Sequence, residues 1–263
     1  MLPARESVKT LIVGGRGGIG SAFARLLNPA TTVVTGRAPF DTPAKGGFVK
    51  LDLSNPEDFP KLTQELKGMG FHPDLILNCT GVLALPGGEE GKIIRPEAGL
   101  KKITPELLRK TFETNTFANA LLMKELVSGL IPNGKHPFLF ASWSARVGSL
   151  EANELGGWYS YRASKAAQNM FVKTASIELK RSHPNACLLM VHPGTCATEL
   201  SEPFVGSAKR KTLQSEDPPE GTPLSGYFTP EFGAELMWKN VLSSATPEDT
   251  GKFLDYEGKE IPW

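Results

Sequence analysis

Tyr161 and Lys165 stand four residues apart in the run Tyr161-Arg162-Ala163-Ser164-Lys165. On a helix that spacing puts a phenol and an ammonium on one face. A cation beside a phenol favours phenolate and lowers a pKa that starts near about 10. Such a phenol can give a proton to a carbonyl oxygen and take it back in the reverse reaction. At the same offset the chain's other tyrosines meet Ala163, Glu231 and Glu260, so the pairing belongs to Tyr161 alone.

A second constellation is Gly14-Gly15-Arg16-Gly17-Gly18-Ile19-Gly20, directly after a strand-like run and opening a helical one. Residues without a Cβ let the backbone approach a pyrophosphate, which then sits against the N–H groups of the helix N-terminus. A glycine-rich turn with no ligand is the plain alternative. The position between the first strand and the first helix favours the phosphate reading.

The elements that must carry these residues alternate along the chain. Lys9–Val13, Thr31–Thr35, Phe48–Leu53, Asp74–Asn78, Pro137–Ala141, Ala186–His192 and Lys252–Tyr256 read as strands. Several are almost continuously apolar, which suits strands covered on both faces. Amphipathic stretches fall between them. Ile19, Phe23, Leu26 and Leu27 recur at helical spacing, and Pro56–Lys67 reads as a helix capped near Ser54 or Asn55. Thr104–Leu130 is a long helix with Thr104 as cap and Pro105 in its first turn. Tyr159–Lys180 is a second long helix, and Thr229 opens a last one that runs to about Leu242. Strand and helix in alternation predict a Rossmann-type doubly wound parallel sheet of about seven strands, helices on both faces. No repeat or composition break divides the chain, so residues 1–263 read as one domain. Residues 195–228 form a connection longer than usual, which reads as a lid.

Composition narrows the function classes. The chain has 263 residues, 29 Lys+Arg against 28 Asp+Glu, and a formal net charge of +1. That balance gives no support to a nucleic-acid partner. Three cysteines without a CxxC argue against a disulfide framework and suit a reducing, cytoplasmic setting. The four histidines show no metal-ligand spacing, so no metal is expected. No apolar run approaches the ~20 residues needed to span a bilayer, and the N-terminus leaves no room for a signal peptide.

Gly14, Gly18 and Gly20 give GxxxGxG, and with Tyr161-xxx-Lys165 in the Ala-Ser-Lys flavour this resembles the short-chain dehydrogenase/reductase family, in its single-domain branch. Val13 stands where that family usually has Thr. The motifs run in family order from residue 13 to residue 198, and the strand pattern continues to the end. The stretch Ser144–Lys165, His192–Gly194 and the terminal Gly258–Trp263 are similar to a C-factor-like subgroup.

The resemblance implies roles for further residues. Asn78 and Gly81, in Asn78-Cys79-Thr80-Gly81, match the element that packs the fourth strand against the cofactor loop; a plain turn is the other reading. Asn115 matches an Asn that opens the long helix and holds a water in a proton relay to Lys165. Mid-helix Asn is otherwise unfavourable. A serine that bonds the substrate carbonyl is implied in Ser142-Trp143-Ser144-Ala145-Arg146-Val147-Gly148. Ser144 is preferred as the nearer to Tyr161, with Ser142 as the alternative. Its separation from Tyr161 exceeds the family's usual one, so a small insertion around Glu151–Leu155 must loop out. Pro193, Gly194, Thr195 and Thr198 match the segment around the nicotinamide, with a Thr on its carboxamide, and Asp52-Leu53 matches the pair against the adenine.

NAD enzymes of this type carry an acid at the end of the second strand to bond the ribose 2′-OH. Here that place reads Thr35-Gly36-Arg37. Arg37, with Arg16 aimed at the same region, suits a 2′-phosphate, so NADP(H) is expected over NAD(H). The expected activity is an NADP(H)-dependent oxidoreductase that interconverts a small-molecule carbonyl compound and a secondary alcohol. Phe204, Val205, Tyr227, Phe228, Trp158 and Trp143 are the expected apolar pocket walls. The two long helices are those that the family pairs in homodimers or homotetramers. The alternative is an NADP(H)-binding sensor on the same fold with little catalysis; an epimerase or dehydratase usually needs more C-terminal chain.

Overall fold

The computed structural model describes residues 2–87, 92–134, 136–219 and 222–263. Seven strands form one sheet: β1 (Thr10–Val13), β2 (Thr32–Gly36), β3 (Gly47–Lys50), β4 (Leu75–Asn78), β5 (Phe138–Trp143), β6 (Ala186–His192) and β7 (Phe253–Asp255). Their order is β7-β6-β5-β4-β1-β2-β3, with every neighbouring pair parallel. The chain winds one way from β1 to β3 and the other way from β4 to β7. The order therefore reverses between β1 and β4, and a crevice must open at their C-terminal ends.

Alternation along each strand fills both faces. Leu11, Val13, Val33, Ile76, Phe140, Leu188 and Met190 pack on one side with Phe59, Leu62, Leu122, Leu126 and Val172. Ile12, Val34, Leu77, Leu139, Ala141, Leu189 and Val191 pack on the other with Phe23, Leu27, Met237 and Val241. Each fully buried large side chain contributes about 1.5–3 kcal/mol, so losing one face unfolds the sheet.

The first side is covered by α2 (Asp58–Gly68), α3 and α4 (Tyr159–Glu178), the second by α1 (Gly18–Leu26) and α5 (Pro230–Met237). Thr104 accepts from the Leu107 N–H and Thr229 from that of Phe232, each at 3.2 Å, with Pro105 and Pro230 in the first turn. These are the caps the sequence predicts. Helix α3 opens as Pro105–Phe112 and then widens to π-helical hydrogen bonding over Glu113–Phe117 and again over Lys124–Ser128. Two boundaries differ from expectation. Strand β3 ends at Lys50, before Asp52-Leu53, because Asp52 starts a turn to Asn55, and α2 begins at Asp58 after a second turn from Asn55 to Asp58. Among the described residues no helix is long and apolar enough to cross a membrane.

The described part of residues 195–228 is folded back on itself. Thr195–Cys196 pairs in parallel with Tyr227–Phe228, and short helical turns lie between. Phe228 is fully buried, 4.8 Å from Tyr256 and 5.6 Å from Phe232 in ring centroids. Tyr227 and Phe228 thus anchor the base of this segment, whereas the sequence reading made them pocket walls.

Candidate active site

Register brings the chemistry to one sheet edge. Val13 lies beside Asn78, Asn78 beside Ser142, and Trp143 beside Val191. The loops that leave these strands surround a cavity of about 880 Å³. Arg16, Gly18, Ile19 and Gly81 line it from one side, Ser144, Tyr161 and Lys165 from another, and Pro193, Gly194, Thr195 and Thr198 from a third. Gly14, Gly20, Arg37, Asp52, Leu53, Asn78 and Asn115 do not reach its surface.

The glycine loop is built on close approach. Gly14 has φ +84°, and a Cβ on it would stand 2.8 Å from the Thr80 side chain. On Gly20 a Cβ would stand 2.3 Å from the Gly14 carbonyl oxygen. Gly17 caps α1 with no side-chain hydrogen bond, so the first N–H groups of that helix face the cavity mouth unmasked. That is the geometry an anionic pyrophosphate needs. Arg16 and Arg37 are both exposed, and among the described residues neither forms a hydrogen bond or ion pair. Asp52 is held by the Ser54 hydroxyl (2.7 Å) and N–H (2.9 Å), which lower its pKa, and Leu53 packs on the core.

Tyr161 and Lys165 lie on the buried face of α4, as their spacing requires, with 8% and 3% exposure. The Lys165 Nζ sits 5.9 Å from the Tyr161 ring centroid and donates to the Trp143 carbonyl and to Gln168 Oε1, each at 2.8 Å. Burial dominates both groups. It pushes the Tyr161 phenol up and pulls the Lys165 ammonium down to about 7. Burial therefore outweighs the expected lowering of the tyrosine by the lysine.

Asn115 sits in the first π-helical stretch of α3, so the helix does open there. Its amide is fully used. The Oδ1 accepts from the Val82 N–H (2.8 Å), and the Nδ2 donates to the Val82 carbonyl (2.9 Å) and to Ser164 Oγ (3.0 Å). This clamp fixes Gly81 below the lysine; a Cβ on Gly81 would lie 3.4 Å from Asn115 Oδ1 and 3.5 Å from Lys165 Nζ. Asn78 donates to Asn119 Oδ1 (2.7 Å), which also accepts from Ser142 Oγ (2.5 Å). Ser142 is sealed in that network with no exposure. Ser144 borders the cavity, but its hydroxyl donates to Asn169 Oδ1 at 2.6 Å. Tyr161 falls in a hydrophobic cluster with Ala145 and Leu83, against which Val147, Trp158 and Phe204 pack.

Other site-forming residues escape sequence reading. Glu97, from a distant loop and only 2% exposed, accepts the Ser160 N–H (3.1 Å) and the Ser160 hydroxyl at the start of α4. Its carbonyl accepts the Trp158 N–H. Arg162 donates to the carbonyls of Gly156 and Gly157, each at 3.0 Å. These bonds hold Gly156, Gly157 and Trp158 at successive positive φ angles of 63°, 67° and 51°, and Trp158 is the bulky residue that bears the strain. Residues 150–156 are exposed, as the expected insertion requires. Trp158 and Phe204 meet edge to face at 5.6 Å and line the cavity together with Trp143 and Val205; Trp143 also stacks on Phe23 and donates to Cys79 Sγ. Burial pushes the Cys79, Cys187 and Cys196 thiols up to about 12, so none is a ready nucleophile.

Known proteins share this architecture. The chain is 30% identical over 96% of its length to 1-hydroxy-2-glutathionyl-2-methyl-3-butene dehydrogenase of Rhodococcus sp. (strain AD45), covering 98% of that protein. It is 32% identical to the C-signal protein of Myxococcus xanthus, over 55% of this chain and 74% of that one. The fold superposes on carbonyl reductase Sniffer of D. melanogaster with a TM-score of 0.73 at 21% identity, covering 97% of this chain and 99% of the other. It superposes on the NADPH-bound carbonyl reductase of chicken fatty liver with a TM-score of 0.71 at 23% identity over the whole of both chains. The family model for short chain dehydrogenases matches residues 9–207, and with the glycine loop, the parallel sheet and the Tyr161–Lys165 face in place, the chain belongs to the short chain dehydrogenase family of oxidoreductases.

Proposed function

We propose that the protein is an NADP(H)-dependent oxidoreductase that interconverts a carbonyl compound and a secondary alcohol, with Tyr161 as general acid and base. The observation that carries this reading is that Tyr161 and Lys165 open onto the same cavity as the glycine loop. Gly14, Gly18, Ile19 and Gly20 hold the pyrophosphate, and Arg16 and Arg37 take the 2′-phosphate. Asp52 and Leu53 flank the adenine. Asn78 and Gly81 brace the loop, Lys165 holds the ribose, and Pro193, Gly194, Thr195 and Thr198 border the nicotinamide. Bound there, the reduced cofactor supplies a hydride to the carbonyl carbon. Tyr161 gives its proton to the oxygen as the C=O bond becomes C–O, and regains one from solvent by way of Lys165. Asn115 positions the floor under Lys165 through Val82. Residues 195–228 close the substrate end as a lid over an apolar, partly aromatic pocket that includes Trp158 and Phe204. One domain does all of this, in a reducing, cytoplasmic setting that suits three free thiols. Phe117, Met170, Phe171 and Ile177 stand exposed on α3 and α4, and pairing of these helices in a homodimer would cover them.

The test is NADPH oxidation over a panel of aldehydes, ketones, 1,2-diketones and quinones, with NADH as control. Turnover with NADPH preferred supports the reading. NADPH binding without turnover of any of them overturns it in favour of a cofactor-sensing protein. The commitment of the Ser144 hydroxyl to Asn169 is the observation that favours this second reading.

A further inference from the structure

The chain after β5 sorts its side chains by face. Ser142 reaches Asn119 beneath the sheet, and Trp143 stacks on Phe23 above it. The Ser144 N–H still bonds the Val191 carbonyl at 2.8 Å, so the ladder continues one residue further, and Ala145 is extended at φ −145°, ψ 144°. Extended backbone sends neighbouring side chains to opposite sides. Ser144 therefore shares the face of Ser142 and ends on Asn169, while Ala145 joins the cluster that holds Tyr161 and Leu83. Asn169 lies eight residues past Tyr161 on α4, about 12 Å further along the axis. Ser144 and Asn169 are 4% and 3% exposed. Pulling that hydroxyl away would strand a buried amide oxygen.

We propose that Ala145 occupies the place beside Tyr161 where a second hydroxyl would share the substrate oxygen, so that Tyr161 works there without one and the enzyme is confined to electron-poor carbonyls: aldehydes, quinones and 1,2-diketones. The inference rests on the carbonyl chemistry proposed above. One preorganised donor at a developing oxyanion is worth about 10²–10³ in rate. A plain ketone needs that donor; a carbonyl whose carbon is already electron-poor needs it less. The hydrophobic side chains clustered with Ala145 and Tyr161 are Leu83, Val147, Trp158 and Phe204, and the Thr80 hydroxyl on the cavity wall is committed to Asn78 Oδ1 at 2.6 Å.

The experiment compares the natural protein, Ala145→Ser and Ser144→Ala on a matched pair, 1-phenyl-1,2-propanedione and propiophenone. Each protein's NADPH affinity and melting temperature are measured alongside. The natural protein should prefer the dione by at least about 100-fold in kcat/KM. Ala145→Ser should raise kcat/KM for propiophenone at least about tenfold, with a smaller change for the dione. Ser144→Ala should stay within about threefold on both, because its hydroxyl stands away from the substrate oxygen. Isotope-edited infrared of carbonyl-labelled propiophenone with NADP+ gives a readout without turnover. Its C=O stretch should move to lower frequency in Ala145→Ser and stay put in Ser144→Ala. A loss of about 100-fold or more in Ser144→Ala, with NADPH affinity intact and the protein still folded at the assay temperature, would overturn the proposal and leave the reductase reading standing. So would an Ala145→Ser protein that binds NADPH normally and gains neither rate nor infrared shift. Silence of all three proteins across the full carbonyl panel would overturn both.

Discussion

Two connections in this molecule do the same topological job in opposite ways. Each leaves the C-terminal end of a parallel strand and delivers the chain to a helix beside the cavity. The β1–α1 turn does it in a few residues, with backbone bonded to its own neighbourhood: Gly17 N–H to the Gly14 carbonyl at 3.1 Å, and Gly15 N–H to the Thr35 carbonyl at 3.1 Å. The β5–α4 connection takes residues 144–158 and is held from far away. Glu97 caps its exit, Arg162 ties down its glycines, Arg146 pairs with Asp255 at 2.9 Å, and the Glu151 N–H bonds the Trp263 carbonyl. Under the proposed function, the first connection serves a ligand of fixed shape, and geometry leaves it no freedom. The second would shape the substrate end, where side chains carry selectivity and the loop can vary as long as its clamps hold.

The largest expected effect separates the two at once. Tyr161→Phe should lower kcat/KM by about 10²–10⁴, the usual worth of a general acid, while NADPH affinity stays within about twofold. Equal loss of NADPH affinity in a titration of cofactor fluorescence would mean that the two ends do not act separately. Gly20→Ala is the mirror image. Its Cβ would meet the Gly14 carbonyl oxygen at 2.3 Å, backbone against backbone, so the loop must shift. We expect NADPH binding to weaken by at least about tenfold and folding stability to fall by about 3 kcal/mol, read from isothermal titration and urea melts.

Glu97→Ala attacks the other connection. It leaves the buried Ser160 N–H and hydroxyl without their carboxylate, a loss of about 2 kcal/mol in stability. KM for the carbonyl substrate should rise as Trp158 loses its seat, with the NADPH dissociation constant unmoved. A change confined to NADPH binding would break the assignment of Glu97 to the substrate end.

The same contrast decides what was legible beforehand. The seven strands, the caps at Thr104 and Thr229, the glycine loop and the Tyr161–Lys165 face rest on residues close in sequence, so spacing and residue type suffice to find them. The widening at Asn115 was expected from the family resemblance, and an Asn in mid-helix, unfavourable by local propensity, agrees with it. Glu97 was not legible: its partner is 63 positions away, and nothing near it marks a cap. The serines were only half legible for a related reason. Ser142 and Ser144 offered the right chemical group, but which face a hydroxyl takes is decided by where the β5 ladder stops, and the Ser144–Val191 bond extends it by one residue. Tyr227 and Phe228 looked like pocket walls until the short pairing with Thr195–Cys196 turned them inward.

A smaller effect probes the glycine end without touching its fold. Arg37 and Arg16 lie exposed and unpaired, so their removal changes little until a 2′-phosphate is present. Arg37→Ala should weaken NADPH about tenfold, one charge-assisted pair, and leave NADH unchanged. Equal effects on both dinucleotides would show that Arg37 does not read the phosphate.

The last prediction is silent at neutral pH and appears only on acidification. His192 follows β6 into the cavity wall, its Nδ1 buried with no partner and its ring 6.4 Å from that of Tyr256. Burial and the Arg146 charge lower its pKa from 6.5 to about 4; Lys209 adds to the lowering and Asp255 opposes it. Between those values the unfolded chain binds a proton that the folded protein refuses. Stability from this group is therefore complete above about pH 6.5 and drains away as pH falls towards 4. His192→Gln keeps a neutral polar side chain with nothing to titrate, so the decline in melting temperature over that window should flatten while the melt at pH 7.5 barely moves. An unchanged acid slope in the variant would assign the loss to other groups. A flattened slope would assign that acid loss to the buried ring of His192, on which the Arg146 charge of the β5–α4 connection also acts.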